Sequence, residues 1–134
     1  MAVYQRSTAA ALRSRLRDFA RTLGGEPPTP EDTRIRLEFV LKARGELAAG
    51  QGDILRLLAP TAAADALGDP ERIAAYAESL AAEAIISDAA GQHERAEAVR
   101  RHAVAIAREA QRRSSVTDSA IEQLIARDGR LIAP

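Results

Sequence analysis

Apolar residues recur at steps of three and four along nearly the whole chain, and nowhere do they alternate with period two over a strand's length. A period near 3.6 gathers such residues on one stripe of a helix, so the spacing by itself predicts an all-α fold. Leu12, Leu16, Phe19 and Leu23 make the first stripe, and Ala96, Val99, Ala103, Ile106 and Ala110 the most regular one. Alanine points the same way: it fills 30 of the 134 positions, whereas aromatics make up 3%. Alanine is the best helix former and lets backbones approach closely. The expected core is therefore thin, built from Leu, Ile, Val and Ala, and suited to support from a partner or a second copy.

Proline and glycine divide this pattern into five to six helices. The first begins near Ser7 and stops at Gly24-Gly25, and Gly24 to Thr29 is a stiff connector. Thr29-Pro30-Glu31-Asp32 restarts the chain with a capping side chain, a proline at the first helical position and acids at the positive helix end. That helix runs toward Gly50. Gly52-Asp53 opens a shorter one that Pro60 interrupts and Gly68 closes, and Asp69-Pro70-Glu71 repeats the start signal. Gly91 is the expected C-terminal cap of the next helix, Ser115 to Asp118 the capping box of the last, and Gly129 its stop. The chain reads as a single domain over 1–134. Its first 23 residues form a basic helix, semi-detached across the 24–29 connector and able to reach a neighbouring subunit.

Two Ala-Ala-Gly-Gln turns, at Gly50 and Gly91, follow two Pro-Glu helix starts at matching distances, the size of a helical-repeat hairpin. The segment from about 76 to 110 resembles a tetratricopeptide (TPR) hairpin. Gly91 at the turn, His93 two residues later, the small Ala96 and Ala103, Ile106, and Leu80 with Ala84 upstream occupy that family's positions. Glu83, Arg100 and Arg108 depart from its pattern. The resemblance implies antiparallel helical hairpins, in a compact bundle or a short TPR-like stack, and a protein-binding role.

Chemistry is sparse. Without cysteine there are no disulfides, thiolate metal sites or cysteine nucleophiles. The two histidines are His93, placed at a turn, and His102, placed on the solvent side; His93 with Glu97 is short of the three or four ligands a metal needs. Glu83, between Leu80 and Ile86, is the one carboxylate in an apolar helix, and its expected state is paired with an arginine. Serines and threonines fall at caps, and no glycine loop suits a phosphate. No enzyme activity and no cofactor is expected. Neither a membrane span nor a secretory leader is legible, although Arg6 to Arg21 faintly resembles an organellar transit peptide. The expected location is the cytoplasm.

Charge is the remaining signal. It sums to zero, yet residues 1–24 carry five Arg against Asp18, residues 92–115 carry six Arg against three acids, and residues 46–90 carry two Arg against eight acids. Such segregation steers partners, or matches basic elements to acidic ones within the fold or between copies. Arg13, Arg17 and Arg21 form one stripe, and Arg101, Arg108 and Arg112 lie roughly opposite the apolar seam of their helix. These six are the candidate interaction surface. The leading expectation is a non-enzymatic protein-interaction or assembly module, with a protein partner or a homo-oligomer. The alternative is a small nucleic-acid-associated accessory protein that lays its arginine faces on phosphates.

Overall fold

A computed structural model describes residues 6–48 and 51–132, with the backbone alone for Arg6, Ser7, Gly52 and Asp53. Among the described residues there are seven helices and no strand: α1 (Arg6–Arg21), α2 (Pro30–Leu47), α3 (Gly52–Leu57), α4 (Pro60–Leu67), α5 (Pro70–Ala89), α6 (His93–Arg113) and α7 (Ser119–Arg130). The all-α reading holds, and the count exceeds the expected five to six. Pro60 divides one expected element into α3 and α4. Leu58 and Ala59 are both extended before it; for Ala59 this follows from the proline, since the residue directly preceding one is disfavoured in the helical region. The turn expected at Gly50 lies outside the described residues.

Local signals account for most boundaries. The Thr29 side chain accepts from the Asp32 N–H at 3.1 Å, and the Asp32 carboxylate accepts from the Thr29 N–H at 3.0 Å, a reciprocal capping box. Asp69 caps α5 through the Glu71 N–H. Gly91, at φ +80°, ends α5: its own N–H reaches the Asp88 carbonyl and the Gln92 N–H reaches that of Ser87, a Schellman closure. Two expected signals act otherwise. The last helix is capped by Asp118, whose carboxylate accepts from the Ile121 N–H, while Ser114 bonds back to Val116 within the preceding loop. Gly129 lies inside α7, which runs on to Arg130.

The molecule is organised around α5, fourteen of whose twenty residues are buried. Its main partner is α6, antiparallel across the Gly91 turn, and α1, α2, α4 and α7 also pack on it. Ile73, Tyr76, Ala77 and Leu80 of α5 meet Ala103, Ile106 and Ala107 of α6, with Ile121 and Leu124 of α7 and Ala63, Ala64 and Leu67 of α4 closing the main core. Ile132 packs against this core and Leu131 is exposed, so only part of the expected apolar tail folds back. On the other side of α5, Ala9, Leu12 and Leu16 of α1 pack with Ala43 and Leu47 of α2 on Ala75. A third cluster joins Leu23, Val40, Ala82 and Ile86, and Phe19 stacks on Phe39 beside it at 4.5 Å between ring centres. The basic first helix, expected as semi-detached, is thus docked along α5.

Candidate interaction groove

The alanine surface of α5 carries four acids, and each holds an arginine from another helix. Glu71 and Glu78 bind Arg13 of α1, the former at 2.9 Å. Glu83 binds Arg44 of α2 at 2.7 Å and Arg95 of α6 at 3.3 Å. Asp88 binds Arg100 of α6 and accepts His93 at 3.0 Å. The charge segregation along the chain is therefore largely consumed within the fold, with α5 as the acidic member. Burial pushes the Glu78 carboxyl up from its ordinary value, with Arg13 opposing. Asp118 lies below its ordinary value despite partial burial, because Arg13 and the first amides of α7 hydrogen-bond to its charged form.

This pairing redraws the expected arginine surface. Arg13 is only 4% exposed and sits among Glu71, Glu78 and Asp118, so it belongs to the interior and not to an open stripe. The spacing that put it in line with Arg17 and Arg21 is real, but α1 lands with Arg13 turned toward α5. Arg21 pairs with Asp18, Arg101 with Glu97 and Arg112 with Glu109 on their own helices. Arg108 is exposed. His102 also turns inward from the solvent side expected for it, because Ala103 and Ile106 set the buried face of α6 and carry the ring toward Tyr76. Glu83 is paired as expected, and more deeply than a helix-edge residue: it is 2% exposed.

Arg17 and Arg21 come to a groove that the sequence does not announce. The groove runs between α1 and α7 over α5 and has a volume of about 330 Å³. Each helix contributes one face. Leu16 and Ala20 come from α1, Ala81, Ala82 and Ile85 from α5, and Ala120 and Leu124 from α7. Arg17, Arg21 and Arg127 stand at its rim with roughly half or more of each side chain exposed, and Gln123 lies beside them. Glu78 closes one end, its carboxylate 3.9 Å from Arg17 Nε. A second cavity, about 340 Å³, lies at the start of α5 between the end of α6 and the 114–119 loop, with Arg13 in its wall.

No family model, curated protein or solved structure matches the chain. Among the described residues no group of three His, Asp or Glu is placed to hold a metal ion. None of the described helices is long and apolar enough to cross a membrane. The groove thus combines an apolar lining of alanines with Leu16, Ile85 and Leu124 and a rim of guanidinium groups, a chemistry that suits carboxylates at its edge.

Proposed function

We propose that the chain is a non-enzymatic protein-interaction module whose groove between α1 and α7 takes an amphipathic, acidic helix of a partner protein or of a second copy. The observation that carries this reading is the conjunction of a small-residue apolar floor with three partly exposed arginines, Arg17, Arg21 and Arg127, on its rim. The resemblance to a TPR hairpin belongs to the same reading, since such hairpins present helix faces to peptides. The nucleic-acid alternative is less favoured, because Arg13, one of its six arginines, is buried among three carboxylates and the net charge of the chain is zero.

A photo-crosslinking residue at the exposed Gln123, introduced in the native cell, tests the assignment. The expected result is a discrete adduct that disappears when Arg17, Arg21 and Arg127 are changed together to Glu while the helical circular dichroism is retained. An adduct indifferent to the charge reversal, or none at all, overturns it.

A further inference from the structure

The capping role expected of Ser115 falls to Asp118, and Ser114 commits its hydroxyl to the Val116 carbonyl. Ser115 is thereby left exposed in the loop between α6 and α7, with no hydrogen-bond partner among the described residues. Val116 beside it is an apolar residue with 73% of its surface in water. The backbone is extended at Ser114 and again at Asp118. Upstream, α6 ends in two arginines, so Arg112-Arg113-Ser114-Ser115-Val116 sets guanidinium groups three and two residues before an exposed serine and an apolar side chain directly after it.

A hydroxyl that accepts a phosphoryl group must protrude from a short non-helical stretch, because the donor nucleotide lies at the bottom of a cleft. Protein kinases choose among such hydroxyls by the charges around them. A kinase whose peptide groove is lined with carboxylates selects guanidinium groups just before the acceptor. Arg112 has 64% of its side chain exposed and touches only Glu109 of its own helix, whereas Arg113 is held by both Asp65 and Glu109. Recognition therefore rests on Arg112 and Val116. We propose that Ser115 is a phosphorylation site for a basophilic serine/threonine kinase. Its Oγ attacks the γ-phosphorus of ATP, the bond to the β–γ bridging oxygen breaks, ADP leaves, and the hydroxyl proton passes to the kinase's catalytic carboxylate. The product adds a charge of about −2 beside the last turn of α6, where it competes with Glu109 for Arg112. Ser115 does not line the groove between α1 and α7, and the site is independent of the function proposed for it.

The full-length chain, incubated with magnesium ATP and the catalytic subunit of a cyclic-AMP-dependent protein kinase, supplies the test through intact mass and peptide mapping. The expected result is one phosphoryl group, on Ser115, and none on Ser115→Ala. Arg112→Ala, with its helical circular dichroism retained, is expected to lower kcat/KM for the transfer about tenfold or more, the worth of a hydrogen bond to a charged group. If Arg112→Ala does not fold, the mapped position and Ser115→Ala decide. In the chain purified from its own cell under phosphatase inhibition, the Ser115 peptide is expected in a phosphorylated form. No transfer, transfer to Ser114 or Thr117 instead, a rate indifferent to Arg112, or a cellular peptide found only unmodified each overturns the proposal.

Discussion

Arg13 is held by three carboxylates from distant parts of the chain: Glu71, Glu78 and, at 2.8 Å, Asp118. It thereby ties α1 to the start of α5 and to the cap of α7. Burial works to lower its pKa, but these carboxylates together outweigh it and raise the already high value further, so it stays charged at any pH the fold survives. Removing one member of a buried ion cluster leaves the others uncompensated, at a cost of about 3–5 kcal/mol. Arg13→Met, which keeps most of the volume, is therefore expected to lose that much in chemical denaturation near neutral pH. Acid gives a second readout. The Asp118 carboxyl is held below its ordinary value in the folded state, so its contribution is complete above that ordinary value and is lost as pH falls through the lower folded one. The wild type should lose stability in that window, and Arg13→Met should show a shallower loss because Asp118 has lost its cation. A variant as stable as wild type at neutral pH, with an unchanged acid limb, would show that the cluster contributes nothing.

Helix starts are the best-read features of this chain, since Thr29-Pro30 and Asp69-Pro70 act through side chains a few residues away. Stops depend on which glycine the backbone needs. Gly91 is at φ +80°, where a side chain is strained, whereas Gly129 and Gly45 lie inside helices. Nothing stands within 4 Å of a Cβ added at either Gly45 or Gly91, so backbone conformation alone decides the effect of a methyl group. Gly45→Ala is expected to raise stability by about 1 kcal/mol through helix propensity. Gly91→Ala is expected to lower it by about 1–2 kcal/mol through left-handed strain. Equilibrium denaturation of the two variants checks both signs, and a gain at Gly91 would remove that turn from the account. The groove was legible only in part. The i,i+4 spacing of Arg17 and Arg21 marks one wall, but Arg127 and the alanines of α5 join it through packing between elements far apart in sequence. The same holds for Arg13 and His102: the periodicity of a helix gives its stripes, and the neighbours decide which residues beside a stripe are covered.

For the molecule as a whole, the acidic α5 acts as the common partner of α1, α2 and α6. Alanine faces alone specify helix register weakly, because a slide by one turn exchanges one methyl group for another. The pairs Arg13–Glu78, Arg44–Glu83 and Arg100–Asp88 each oppose such a slide, since it would leave a charge unpaired away from water. The same arrangement limits what the surface offers to a polyanion. Lys and Arg number 19, Asp and Glu number 19, and of the six candidate arginines Arg13 is buried while Arg21, Arg101 and Arg112 hold carboxylates. Each phosphate neutralised contributes a slope of about −0.9 to the logarithmic dependence of duplex affinity on salt. Fluorescence anisotropy with a labelled DNA duplex is accordingly expected to show negligible binding at physiological salt. A slope near about −3 that Ala at Arg101, Arg108 and Arg112 abolished would instead count three phosphate contacts on α6. The proposed interaction would then be reassigned from the groove to that arginine face, and the Gln123 adduct would be expected to survive reversal of the groove's charge.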